Sequence, residues 1–244
     1  MPQDDWEVQI QGAAPDLEHL ARYFTASPMR VTKAEAQFLY ASDALASCTT
    51  AEEVLAVADQ EFAVLSGVLK LARDSHEPLR SGAVYRQNPA GGRHVFVRVS
   101  AGQMRLEAGE VTVTVTDSKG NVITRPTPPP RTVRLAQLAA SDVAVKKAMR
   151  LHAEDDAVCW VGLYRIYEVI EADAGGEAAL GNSGWTSGND QKRFKHSANS
   201  VTVAGDDARH GKETQKPPKQ PMSLQEAVAY VRHLMEAWLA SKGV

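Results

Sequence analysis

The sequence predicts an α+β fold: an N-terminal mixed domain with an antiparallel sheet and a packed helix, followed by a C-terminal helical bundle. Polar and apolar residues alternate in the first half, as in half-buried strands, whereas apolar residues recur at helical spacing in the second half. Between the halves, the run 125–131 contains four prolines, which continue neither a sheet nor a helix interior. We therefore predict two domains, 1–130 and 131–244, with a sensing role proposed for the first.

The composition is that of an ordinary globular protein. Of the 244 residues, 43% are hydrophobic and 23% are charged, and the formal net charge is −3. This balance argues against a surface coated in basic residues, although it leaves room for a local basic patch. From residues 1–6, which have neither a basic start nor an apolar run, we expect no signal peptide. The sequence has no long apolar run, and Cys48 and Cys159 form neither a disulfide framework nor a metal motif. We expect a soluble, cytoplasmic protein without a membrane partner.

The first predicted elements are a strand, a helix and a second strand. Residues 6–10 alternate apolar and polar side chains, which predicts a half-buried strand. A helix beginning at Asp16 follows, with Leu17 and Leu20 on one face. Residues 37–42 are rich in apolar and aromatic side chains and predict the second strand.

A long helix and a set of strands complete the predicted N-terminal domain. Thr50 and Glu53 form a capping box, in which each side chain binds a free backbone N–H at the helix start. Beyond it, β-branched and aromatic residues predict strands at 83–86, 95–99 and 111–115, separated by glycine-containing turns. Because the helices are predicted before these strands rather than between them, the pattern indicates α+β and not a doubly wound sheet.

The second domain is predicted to contain three long amphipathic helices. Two of them are expected over 133–152 and 155–173, the second ended by the glycines at 175–176. The last begins with a second capping box, formed by Ser223 and Glu226. Three such helices predict a small bundle.

The connection over 175–222 is the region where chemistry is expected. A connection of this length in a small domain is unusual unless it is functional or contains short elements of its own. It is locally positive within an acidic protein, and its two histidines, His196 and His210, have side chains that exchange protons near neutral pH. Positions 190 to 219 contain four acidic residues and seven basic ones. The basic residues are Lys192, Arg193, Lys195, Arg209, Lys212, Lys216 and Lys219.

Each candidate in this region has a chemical role and a structural alternative. A helical turn over 204–212 would place Asp206 and His210 on one face, where the carboxylate would orient the imidazole and raise its pKa. Asn199 is expected to position a ligand or to cap a turn. The alternative is that these side chains form a solvated surface or only hold a turn together. The candidates to hold a phosphate are Arg193, Lys195, Arg209 and Lys212.

Common catalytic and cofactor motifs are absent from the sequence. It has no Walker loop, no GxGxxG after a strand, no GxSxG and no HExxH. His196 and His210 do not have a recognised metal-ligand spacing, so neither a metal nor a cofactor is predicted. Tyr164 and Tyr167 are expected in the core. The neighbouring Glu168 and Glu171 are placed to reach the charged connection.

The run 206–212, Asp-Asp-Ala-Arg-His-Gly-Lys, and the final helix over 223–239 resemble HEPN domains. These are small helical bundles of prokaryotic toxins, abortive-infection proteins and CRISPR-associated ribonucleases. The resemblance covers the chain from about residue 133 onwards. A mixed domain ahead of such a bundle also resembles the layout of the defence proteins termed ApeA-like, and there is a fainter likeness to methylamine-utilisation accessory proteins.

The HEPN resemblance implies a metal-independent endoribonuclease that pairs with a second copy through the bundle and cuts RNA. It implies that His210 is the acid and base on the 2′-hydroxyl and the leaving oxygen, and that Arg193 or Arg209 stabilises charge on the phosphate. In this chain, however, Arg209 directly precedes His210 and Arg193 lies three positions before His196, both closer than the family's spacing.

Three hypotheses of function follow from these observations. The first is an HEPN-like protein that binds or cleaves RNA, in stress or phage defence. The second is a non-catalytic module that dimerises through the bundle and binds a partner, which the altered arginine spacing favours. The third is a small-molecule enzyme with a site between the domains, where Trp185, His196 and the Thr50 helix would meet.

Overall fold

The computed structural model describes residues 6–34, 37–87, 93–96, 129–210, 212, 216 and 218–244. Contacts between Cα atoms divide the chain into two compact units, Met1–Arg134 and Leu135–Val244, close to the boundary predicted at residue 130. The strand predicted at 111–115, the end of the strand predicted at 95–99 and most of the proline run lie outside the described residues. No helix in the described ranges is long and apolar enough to cross a membrane.

Six strands of the described part of the first unit form one antiparallel sheet, in the order β2-β3-β4-β1-β5-β6. The α+β prediction is therefore confirmed. The elements in chain order are β1 (Trp6–Gln11), α1 (Ala14–Tyr23), β2 (Thr25–Ala26), β3 (Met29–Ala34), β4 (Gln37–Ser42), a 3₁₀ turn (Leu45–Ser47), α2 (Ala51–Arg73), β5 (Arg80–Gln87) and β6 (Arg93–Phe96).

The core of this unit lies between the sheet and α2. The predicted alternation in β1 is confirmed, because Trp6, Val8 and Ile10 are buried and the two residues between them are partly exposed. The ring of Tyr40 from β4 meets the ring of Phe62 from α2 edge to face, with centroids 4.9 Å apart. The capping box at the start of α2 is formed as predicted, with both hydrogen bonds between Thr50 and its partner three residues later.

The predicted order of helices and strands is confirmed, because α1 and α2 both precede β5 and β6. Two details of the prediction for this unit differ from the structure. Strand β3 was missed because Val31 is its one buried residue, which leaves no apolar alternation to detect. Helix α1 begins earlier than Asp16, with Ala13 as its N-cap and a proline in its first turn. Asp16 is instead buried and paired with Arg73 at 3.0 Å.

The second unit is helical, as predicted. Both helices predicted at its start are interrupted by a cap: Asp142 accepts a hydrogen bond from the backbone N–H of Val145, and Cys159 caps the helix that follows a 3₁₀ turn. Its elements, counting α3 that leads into it, are α3 (Arg131–Ser141), α4 (Val143–Ala153), a 3₁₀ turn (Asp155–Val158), α5 (Trp160–Asp173), α6 (Glu177–Asn182), α7 (Gly188–Asn199), α8 (Val201–Ala204), a 3₁₀ turn (Gly205–Asp207) and α9 (Leu224–Ser241).

The charged connection contributes to the core of this unit. Phe194 of α7 is fully buried and lies against the rings of Tyr164, Tyr167 and Tyr230, with centroid distances of 5.1 to 5.8 Å. The region expected as a loop therefore contains a packed helix. The capping box of Ser223 is formed as predicted and starts α9.

Candidate functional site

Helix α7 carries most of the candidate residues, and its packing decides which of them reach solvent. Ser187 caps the helix by accepting a hydrogen bond from the backbone N–H of Asp190 at 3.1 Å. Phe194 and the buried Gln191 and Ala198 form the inner face. Residues on the other side of the helix are directed outward, and Lys192 is the most exposed basic residue there.

A segment that we call the strap, residues 216 and 218–222, lies against α7. The Nε2 atom of His196 lies 2.7 Å from the carbonyl oxygen of Lys216. Arg193 donates hydrogen bonds to the carbonyl oxygens of Gln220 at 3.2 Å and Pro221 at 3.3 Å. These contacts hold the strap, including its exposed lysines, beside the outer side of the helix.

The stretch that carries His210 lies beside the end of the same helix. The backbone N–H of Arg209 donates to the carbonyl oxygen of Ala198 at 3.0 Å. The Arg209 guanidinium pairs with Glu168 at 2.7 Å and lies 4.4 Å from the centre of the Tyr164 ring. The structure thus brings the two histidine-bearing segments together at the C-terminal half of α7.

The predicted link between Asp206 and His210 is not formed in the way expected. Gly205 has a φ of 62°, which breaks the helix after Ala204. A 3₁₀ turn over Gly205–Asp207 follows, and no helical turn spans 204–212. Both side chains are exposed, and neither bonds to another residue of the described ranges. The condition for an oriented Asp206–His210 pair is therefore not met.

Lys195 was predicted to bind substrate, but the structure gives it internal partners. Its Nζ atom lies 3.1 Å from Glu171 and 2.9 Å from Glu177. Burial works to lower the pKa of Lys195, but the hydrogen bonds that it donates to Glu177 and Glu171 outweigh burial and raise the pKa above its ordinary value. Tyr167 donates to Glu171 at 3.3 Å. This cluster joins α5, α6 and α7 and engages two of the three N–H donors of Lys195 with carboxylates of the unit itself.

The remaining predicted residues divide between structural contacts and open surface. Asn199 donates to the carbonyl oxygen of Lys195 at 2.7 Å, which matches the helix-capping alternative. The prediction that Glu168 and Glu171 reach the charged connection is confirmed by their pairs with Arg209 and Lys195. Lys212 is exposed and forms no ion pair within the described part of the chain.

Four lysines around the two histidines remain unpaired with respect to the residues that the structure describes. We call this surface the lysine face. Arg193 differs from them because its guanidinium is close to Glu226 at 3.6 Å and Asp190 at 3.9 Å. The lysine face consists of Lys192, Lys212, Lys216 and Lys219, together with His196 and His210.

No family model, curated protein or solved structure matches this chain. The relationship to HEPN domains stays a prediction, carried by the run 206–212 and the helical layout. Across the described ranges, no group of three or more His, Cys, Asp or Glu side chains is placed to hold a metal ion.

Sequence reasoning missed the strap as a partner of α7. Its contacts depend on residues 20 or more positions apart, such as His196 and Lys216, and no local pattern records them. A signal was present in the prolines at 217, 218 and 221, which favour an extended segment leading into the last helix. Extended backbone leaves carbonyl groups free to accept hydrogen bonds from the helix, as Gln220 and Pro221 do from Arg193.

Proposed function

We propose that the C-terminal unit binds a single strand of RNA along the lysine face, as a non-catalytic HEPN-like module. The observation that carries this proposal is that some basic residues of the unit are paired with carboxylates and others are not. Arg193, Lys195 and Arg209 are held by carboxylates of the unit itself, whereas the four lysines of the face have no such partner among the described residues. Unpaired lysines on one helix and on the segments bonded to it attract a phosphate backbone and release its counterions.

The chemistry of the face favours binding over cleavage. A carbonyl oxygen only accepts, so His196 uses its Nε2–H to hold the strap, which leaves Nδ1 alone for any proton transfer. His210 is exposed and has no orienting carboxylate among the described residues. The two arginines that would stabilise charge on a phosphate are engaged elsewhere. A histidine that no carboxylate orients is a poor general acid or base, and arginines already paired with carboxylates stabilise a phosphate charge only weakly. Together they favour binding over catalysis.

The face is expected to prefer the backbone to particular bases. Base recognition on single strands relies on aromatic side chains that stack on the bases. The aromatic residues closest to α7, such as Tyr164 and Tyr167, are buried in the core. Affinity should therefore fall steeply with salt and vary little with sequence.

The test is the binding of a labelled single-stranded RNA, measured by fluorescence anisotropy over a series of salt concentrations. The double variant Lys192→Ala/Lys216→Ala should bind more weakly and show a shallower salt dependence, by about 0.7 in the log–log slope for each phosphate that is no longer neutralised. Lys146→Ala, which removes an exposed lysine of α4, serves as the matched control. Equal binding by the wild type and both variants would refute the proposal.

Two further readouts separate the alternatives. RNA incubated with the protein and a chelator should stay intact; cleavage that disappears in His210→Ala would establish the ribonuclease hypothesis instead. Polyglutamate should compete weakly with RNA, because the spacing of its charges differs from that of phosphates. Strong competition would point to an acidic protein partner.

Dimerisation through the bundle belongs to the same proposal. Val158 ends the 3₁₀ turn and Val161 lies in the first turn of α5; they are 50% and 37% exposed, and a second copy would cover them. Light scattering should give a dimer mass for the wild-type protein and a monomer mass for Val161→Glu. A monomeric wild type would remove the dimer from the proposal and leave the RNA test unaffected.

A further inference from the structure

A groove between α4 and α5 has the size of a small-molecule site. Its volume is about 800 Å³, within the range that binds drug-sized ligands. The buried side chains of Leu151 and Val169 line it, together with Ala172, so part of its wall is apolar. The groove lies within the second unit and includes no residue of the lysine face.

The acidic side chains that line the groove are already neutralised. Asp142 and Asp173 both pair with Lys242, at 2.6 Å and 2.8 Å. Glu168 pairs with Arg209 at 2.7 Å. Neither of these two cations lines the groove, so both reach the acids from outside it.

Of the three basic side chains that line the groove, one is paired with a carboxylate and two are not paired with any described residue. Arg165 forms an ion pair at 2.6 Å with Glu154, whose carboxylate does not line the groove. Lys147 and Arg150 are exposed, and neither forms a hydrogen bond or an ion pair with another described residue. They lie three residues apart on α4, so they share one face and point into the same part of the groove.

We propose that this groove binds a small molecule that carries a phosphate group, held by Lys147 and Arg150, with an apolar body over Leu151 and Val169. The planar guanidinium of arginine matches the oxygen geometry of a phosphate, and the neighbouring ammonium adds a second donor with full charge. The acids at 142 and 173 do not repel such a ligand strongly, because Lys242 lies between them.

The first measurement is a calorimetric titration of the whole protein with phenyl phosphate, which has both the charge and an apolar body. Loss of a hydrogen bond to a charged group is expected to weaken binding by about tenfold or more in each of Lys147→Ala and Arg150→Ala. Lys146→Ala is the matched control, because it removes the neighbouring lysine of the same helix that does not line the groove. Absence of binding to the wild type, or equal binding by all four proteins, would overturn the proposal.

Two comparison ligands test the parts of the site separately. Inorganic phosphate should bind more weakly than phenyl phosphate, since it leaves the apolar wall uncovered. Benzyl alcohol, which lacks the charge, should not bind measurably; binding equal to that of phenyl phosphate would overturn the role of the two cations.

The groove and the lysine face are tested independently. Lys147→Ala and Arg150→Ala should leave the affinity for single-stranded RNA unchanged, whether or not the lysine face binds RNA. If these variants lose RNA binding together with phenyl phosphate binding, the groove serves a phosphate of the nucleic acid, and the small-molecule proposal is wrong.

Discussion

His196 donates its Nε2–H to the carbonyl oxygen of Lys216 at a distance of 2.7 Å. This one bond joins the C-terminal half of α7 to a segment 20 residues later in the chain. Its donor must be the Nε2 nitrogen, because a carbonyl group has no proton to give. The tautomer of the neutral imidazole is thus fixed by the fold, with Nδ1 as its acceptor.

His196→Ala should loosen the strap without unfolding the unit. The remaining contacts of Arg193 with the strap are expected to keep it near α7 but with more frequent opening. Trypsin should then cut after Lys219 several-fold faster than in the wild type, as measured by mass spectrometry of timed digests. His196→Gln, whose amide also donates, should restore part of the protection. Unchanged cleavage in His196→Ala would mean that the bond does not hold the strap.

Lys195→Met should destabilise the second unit more than its position on a charged helix suggests. The change removes the cation between Glu171 and Glu177 and leaves the Glu171 carboxylate, whose side chain is 19% exposed, with poorer compensation. We expect the free energy of unfolding to fall by about 1–3 kcal/mol at neutral pH. Lys192→Met, on the exposed side of the same helix, should stay within about 0.5 kcal/mol of the wild type. Urea denaturation of both variants measures the difference.

The same cluster predicts a loss of stability at alkaline pH. The folded state raises the pKa of Lys195, so its contribution is complete below the ordinary lysine pKa of about 10.4 and is lost as the pH rises through the raised value. Burial and the charge of Glu171 also raise the pKa of Tyr167, whose neutral form is favoured in the fold, so stability is lost above its ordinary pKa of about 10.

Urea denaturation at several pH values above about 9 should therefore show falling stability in the wild type. The fall should be shallower in Lys195→Met, since one of the linked groups is gone. Parallel curves for the two proteins would show that Lys195 is not linked to folding.

Gly162 of α5 should not accept any side chain. A Cβ atom at this position would collide with the backbone oxygen of Asp156 and lie 2.8 Å from the Cα atom of Ala157 in the preceding 3₁₀ turn. Gly162→Ala is expected to lower the free energy of unfolding by about 1–3 kcal/mol, because the backbone itself must move. Gly188→Ala in α7, with nothing within 4 Å, should be neutral or slightly stabilising. Thermal unfolding followed by circular dichroism compares the two, and equal melting temperatures would contradict the packing of the turn on α5.

The features that the sequence predicted correctly have local causes. Both capping boxes, at Thr50 and at Ser223, use two side chains three residues apart, and each formed as expected. The burial of Phe62 at helical spacing in α2 is similarly encoded within one turn. Such patterns need no knowledge of the rest of the chain.

Helix α7 was not predicted from the sequence because its buried face contains few large apolar side chains. Phe194 is its one large apolar residue, and the other buried positions are polar or small: Gln191, Ser197 and Ala198. Hydrophobic periodicity has little to detect in such a helix. Ser197 is buried because its hydroxyl accepts a hydrogen bond from the backbone N–H of Met222 at 2.8 Å, a partner that appears only in the folded chain.

The α4–α5 groove lay outside sequence reasoning for a related reason. Lys147 and Arg150 have the pattern of any solvated helix face. Their distinction arises because Lys242 and Arg209 neutralise the acids opposite them, and these partners come from distant parts of the chain. An unpaired charge is a property of the whole fold and has no sequence motif.

Phe194 also limits how the lysine face can change in evolution. A helix turns by about 100° per residue, so one residue inserted between Lys192 and Phe194 would rotate that lysine away from the strap while the phenyl ring stayed in the core. Substitution of the lysines by arginine would leave the arrangement intact. We therefore expect homologous sequences to vary in the identity of their basic residues but to keep a constant number of positions between Ser187 and Phe194. A sequence alignment with gaps between Ser187 and Phe194 would therefore match the basic residues of this helix to positions that do not correspond to them.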